Sequence, residues 1–230
     1  MGSSANLLTG AGVQLGPVVV AEPVLTTWGI MFALVVGSWI GTRRLSVDPG
    51  PIQVVLEGLL GAADESIRAV LPAQTERLLP FIATLWLFIM VANLSGLIPG
   101  VHAPTGDLST TAALAVIVFL SVHWFGIRSQ GIRAYLRHYL APMPIMLPFH
   151  LMSELTRTLA LAIRLFGNIM SLEMAALLVL LVAGFLVPLP LLILHIIEAL
   201  IQAYIFGMLA LIYIAGAIHS QESTKPQAQE

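Results

Sequence analysis

The stretch HLMSELTRTLALAIRLFGNIMS, residues 150–171, decides how this chain is read, because it sets charged and amide side chains inside a run otherwise apolar enough to lie in lipid. On a helix at about 100° per residue, His150, Glu154, Arg157, Arg164, Asn168 and Ser171 fall within an arc of roughly 100°. One face of that helix is therefore polar. Glu173, nine places beyond Arg164, projects to the opposite side. An arginine charge at bilayer depth costs from about 2.5 to over 10 kcal/mol, so Arg164 is read as a functional position before it is read as a packing one.

The rest of the composition fits that reading. The 230 residues are 58% hydrophobic and 10% charged, where a soluble domain is about one quarter charged. This predicts an all-α polytopic membrane protein with a single membrane domain over residues 1–230. Five or six segments of about 20 residues would use nearly the whole chain, which leaves no room for a soluble catalytic domain. With no cysteine there is no disulfide, thiolate metal site or cysteine nucleophile. Residues 1–16 lack the basic and apolar regions of a cleaved signal and read as the external N-terminus of a mature chain. The polar stretch 221–230 reads as a disordered cytoplasmic tail.

Taken in order, residues 17–40 are apolar enough to span, and they end at the basic pair Arg43 and Arg44. Residues 49–71 alternate apolar and charged positions in the manner of a helix on the membrane surface. A second span covers 78–98 and stops where Gly96, Pro99 and Gly100 break the helix. A third covers 108–127 and is followed by Arg128, Arg133 and Arg137. With Arg43, Arg44, Arg68 and Arg77 these arginines mark one face as cytoplasmic, so the N-terminus lies outside and the C-terminus inside. Residues 147–187 would form a helix of roughly 60 Å, about twice the hydrocarbon thickness, and 191–218 return beyond Pro188 and Pro190. The last two helices are thus expected as a long, tilted hairpin. On its second arm His195, Glu198, Gln202, Phe206 and Tyr213 share a face within roughly 80°.

Arginine keeps its charge in a protein, so Arg164 cannot carry protons, and its fitting partner is an anion that comes and goes. Glu154 lies about 15 Å away along a continuous helix, too far to be a fixed counter-ion. Carboxylates and imidazoles can be tuned by burial to exchange protons near neutral pH. Glu154 on one side, and Glu173, His195 and Glu198 on the other, read as two access routes with Arg164 between them. The His150/Glu154 and His195/Glu198 pairs have ligand-like spacing, but opposite ends of the hairpin hold them apart and no HExxH is present, so no metal is expected. His123 and His138 read as interface anchors, His102 and His219 as solvent-exposed.

At these residues the chain resembles the family of subunit a of F-type ATP synthases, the membrane stator that works against a rotating c-ring. The match is carried by Ala162-Ile163-Arg164-Leu165-Phe166-Gly167-Asn168 with the acidic Glu173 beyond it. Ile201-Gln202-Ala203-Tyr204-Ile205-Phe206 with Tyr213 adds to it, as does the 93–115 stretch with its Gly-Leu-Ile-Pro-Gly turn. The resemblance implies that Arg164 is the stator arginine, Gln202 its helical neighbour, and Glu173 with His195 the pair of the outer half-channel. Arg157 and Glu154 fit the basic and acidic positions before the motif. It also implies that the c-ring, subunit b of the peripheral stalk, the rest of the synthase complex and membrane lipid are partners. No nucleic acid, cofactor or ATP site is implied, and the location is a bacterial plasma (inner) membrane. Thr158 stands where the family often has proline, and Glu198 is an additional carboxylate beside the outer route. That extra group leaves Na⁺ open beside H⁺ as the coupling ion. Two other classes fit the sequence less well. A secondary transporter for an anionic substrate should show internal inverted repeats, and an intramembrane hydrolase needs a nucleophile and base or a metal triad; neither is evident.

Overall fold

The computed structural model describes residues 12–15, 18–43, 50–98, 101–132, 147–183 and 189–219. The tail 221–230, residues 1–11 and the hairpin turn around Pro188 lie outside these. A short antiparallel pair, β1 (Gly12–Leu15) and β2 (Val18–Ala21), opens the fold with Leu15 opposite Val18. Helix α1 (Glu22–Thr42) follows, with Pro23 in its first turn. The apolar run assigned to the first span thus begins in a strand: Val18, Val19 and Val20 are β-branched and favour extended backbone, and the helix starts five residues later than 17.

Helix α2 (Pro51–Val70) is amphipathic. Ala63 and Ile67 are fully buried, whereas Val54 and Val55 are exposed and Arg68 pairs with Asp64 at 2.6 Å on the outer face. Helix α3 (Thr75–Ser95) crosses back and ends ahead of Gly96. A 3-10 turn at Pro104–Gly106 leads to α4 (Leu108–Gln130), whose first free amides are capped by Asp107 accepting from the Ser109 N–H at 2.7 Å. Then come α5 (Leu147–Ala183) and α6 (Leu189–His219), of 37 and 31 residues, roughly 55 and 46 Å long.

Among the described residues five helices are long and apolar enough to cross a membrane, so the body is that of an all-α polytopic membrane protein. They differ in burial. Half of the α6 window is buried but only 17% of the α5 window and 6% of the α1 window, which makes α6 the central helix and α1 and α5 flanks. The core sits where α3, α4 and α6 meet, around Ile82, Trp86, Val118, Phe206 and Leu211, with α2 closing one end through Ile67. Ala203, Gly207 and Ala210 give α6 a small-residue seam on which α3 lies closely.

Candidate functional site

Helix α5 packs on α4 and α6 through Leu161, Leu165 and Ile169, all at most 1% exposed. Around the helix that contact stripe is centred roughly 100° from Arg164. The polar arc of the 150–171 stretch therefore straddles the edge of the interface instead of forming one uniform face. Arg157, Arg164 and Ser171 lie on its open side and are exposed, while Glu154 and Asn168 sit at the edge and are half-buried. Among the described residues no ion pair or hydrogen bond reaches Arg164. The helix surface farther round from it is apolar and open, with Ile163, Leu159 and Met170 exposed at 52%, 60% and 42%.

Across the edge the two arms of the hairpin are joined. Asn168 Nδ2 donates to Gln202 Oε1 at 2.7 Å. Gln202 is 2% exposed, and its Nε2 is buried without a hydrogen-bond partner among the described residues. The sequence placed Gln202 on a face with His195, Phe206 and Tyr213, and that face points inward: His195 is 7% and Phe206 1% exposed.

One end of the hairpin gathers a polar cluster around the loop between α3 and α4. His195 Nε2 lies 3.1 Å from the Asn93 carbonyl oxygen, and since a carbonyl only accepts, Nε2 is the donor and Nδ1 is the acceptor nitrogen of the neutral ring. Asn93, fully buried, accepts from Thr105 Oγ1 at 2.7 Å and reaches the Ala199 carbonyl at 3.5 Å. Glu173, half-buried, comes to the same loop from the far edge of α5: a Cβ on Gly106 would lie 3.1 Å from its Oε2, so the missing side chain is what admits the carboxylate. Glu198 is half-buried one turn beyond His195. Sequence reasoning missed Asn93 and Thr105 as individual residues; the signal was an amide within an apolar span.

The opposite end holds Glu154. Its Oε2 lies 3.2 Å from Nε2 of His123 on α4, with both side chains about one-quarter exposed or less. His123, read from sequence as an interface anchor, thus turns inward. Arg157 sits over the Tyr213 ring at 5.6 Å, within cation–π range. His102 is exposed as expected and approaches Glu22 of α1 at 3.4 Å. Among the described residues no group of three histidine or acidic side chains could hold a metal ion. The polar residues thus form two clusters at opposite ends of α5, with a lone exposed cation and an amide bridge between them.

Comparison with known proteins gives a consistent result. Residues 24–215 match the family model described as ATP synthase A chain. The chain is 62% identical to "ATP synthase subunit a 2" of Pelobacter propionicus over 222 residues, 96% of this chain and 97% of that one. It is 60% identical to "ATP synthase subunit a 1" of Hahella chejuensis over 213 residues, covering 93% and 90%. With "ATP synthase subunit a" of Legionella pneumophila strain Philadelphia 1 the identity is 59% over 210 residues, 91% of each.

Proposed function

Since the chain belongs to the ATP synthase A chain family, and so is a membrane stator subunit of an F-type ATP synthase, we propose that it provides two half-channels passing protons to and from a rotating c-ring. The observation that carries this reading is Arg164, a permanent cation on the exposed side of a membrane-spanning helix with no counter-charge among the described residues. Such a charge calls for an anion on whatever covers α5. A ring of rotor carboxylates supplies one and then moves it on.

Protons would enter past Glu173 and His195, with Glu198 beside them and Asn93 orienting the imidazole. Each would neutralise a rotor carboxylate, ride with it through lipid and leave past Glu154. Arg164 favours the ionised carboxylate and bars direct flow between the two ends, while the bridge from Asn168 to Gln202 fixes the helix edge beside it. Each elementary charge crossing 100 mV supplies about 2.3 kcal/mol, so several must pass for each ATP made. ATP itself binds elsewhere in the complex. The arginines at the ends of α1, α2 and α4 support a cytoplasmic assignment of that side by the positive-inside rule, in a bacterial plasma membrane with the N-terminus outside and the C-terminus inside. Subunit b of the peripheral stalk would hold the subunit against the rotor's torque.

The test uses the whole complex in vesicles. Arg164→Ala should abolish ATP-driven pumping yet leave passive conductance once the catalytic head is removed, because both routes remain. Arg164→Lys keeps a charge but loses the forked donor set and should be strongly impaired. Retained pumping in Arg164→Ala would refute the mechanism.

A further inference from the structure

The contact between α4 and α5 has a protonation consequence of its own. His123 Nδ1 lies 2.8 Å from the Phe119 carbonyl oxygen, one turn earlier in its own helix. A carbonyl has no proton to give, so Nδ1 carries the hydrogen. In the neutral ring Nε2 is then a bare acceptor. It lies 3.2 Å from Glu154 Oε2, an ion-pair separation, and two unprotonated acceptors that close would repel. The contact is therefore favourable when the pair carries one proton, as carboxylic acid with imidazole or as carboxylate with imidazolium. The Phe119 ring packs against the imidazole, tilted 50° to it with centroids 4.3 Å apart, and limits its rotation.

We propose that His123 and Glu154 act together as a shared-proton relay on the cytoplasmic access route, with His123 a functional residue of proton transfer and not a membrane-interface anchor. The proposal rests on the half-channel reading above. At rest the pair carries one proton. A proton released by a rotor carboxyl, which becomes carboxylate, adds to it and gives carboxylic acid with imidazolium; loss of one proton to water restores the starting state. Glu154 lies ten residues from Arg164, about 15 Å along the helix, so water must bridge that gap. Side-chain exposures of 26% for His123 and 21% for Glu154 leave both side chains partly open, although the contacting Oε2 is itself buried, while the ring and helix contacts fix them. Among the described residues, the charged and titratable groups nearest in sequence on the helices that meet at the pair are His150 and Arg157 on α5 and Arg128 on α4, with Tyr213 on α6 under the Arg157 guanidinium.

A plain fastening of α4 to α5 would use the same contact, so the readout must be one that fastening does not move. ATP-driven pumping by the intact reconstituted complex is followed as a function of pH for wild type, His123→Gln, Glu154→Gln and the exchange His123→Glu with Glu154→His. Each single variant should slow pumping on the order of tenfold, short of the 10²–10⁴-fold of an obligatory acid–base group because water carries part of the flow, and should move the pH profile. The exchange restores a one-proton pair and should recover much of the rate on a profile displaced from wild type. Unchanged pumping in His123→Gln, or a slowed rate on the wild-type profile, would overturn the relay. Loss of assembly in both His123→Gln and the exchange would also overturn it, leaving a fastening. Arg164→Ala is measured alongside: if it loses pumping while His123→Gln is normal, only the relay falls, whereas if it retains pumping the stator reading itself falls.

Discussion

Gly207 is the position at which α6 is most exacting. A Cβ built there would overlap the indole nitrogen of Trp86 and the ring carbon beside it. The indole is 3% exposed and lies 5.1 Å from the Tyr204 ring at 56°, so it has little room to move aside. Gly207→Ala must shift the ring or part the helices, and overpacking of this size costs about 1–3 kcal/mol, here toward the upper end because ring and helix backbone are both held. The alanine's better helix propensity returns roughly 1 kcal/mol at most. Gly216→Ala, on the same helix with nothing within 4 Å of the added carbon, isolates that propensity gain. In a chain of this size 1 kcal/mol moves a melting midpoint by about 2–4 °C. The purified complex should therefore lose several degrees in Gly207→Ala and none in Gly216→Ala. Trp86→Ala opens a cavity and is destabilising in its own right, but adding Gly207→Ala to it should cost nothing more, since the clash has gone. Equal midpoints for Gly207→Ala and Gly216→Ala, or additive losses in the double variant, would refute this account of the crossing.

Two further outcomes follow from the polar clusters. Asn93→Leu strands the buried Thr105 hydroxyl, and Thr105→Val strands Asn93 Oδ1, so each should lower the stability of the complex by about 1–3 kcal/mol while the double variant loses clearly less than their sum; additive melting shifts would contradict the bond. Glu173→Gln keeps the volume but not the exchangeable proton, and since an acid–base group is worth roughly 10²–10⁴-fold, ATP-driven pumping should fall at least tenfold in a complex that still assembles. Normal pumping would remove Glu173 from the route.

What the sequence made legible is what a single helix states about itself. Charges recurring with helical period inside an apolar run give both a span and a stripe, so the α5 arc and the inward face of α6 through His195, Gln202 and Phe206 could be read without coordinates. Period does not say which neighbour a stripe meets. The arc from His150 to Ser171 looked like one polar face, yet packing against α4 and α6 divides it, sending Glu154 and Asn168 to the interface and Arg164 outward, and only that division gives the arginine its open position. The same limit hid the cross-element bonds. His123 and Glu154 belong to different helices, and nothing along α4 alone distinguishes an imidazole turned to a carboxylate from one turned to a headgroup. Thr105 and Asn93 are only twelve residues apart, but the loop between them had to fold back on α3 before a threonine became a donor to a buried amide. The misplaced start of the first span had a different cause, since a hydropathy window scores three consecutive valines as membrane-like and ignores that their branching favours the strand they form. Individual faces were thus readable wherever period and polarity agreed, and the site became chemical only where two faces met.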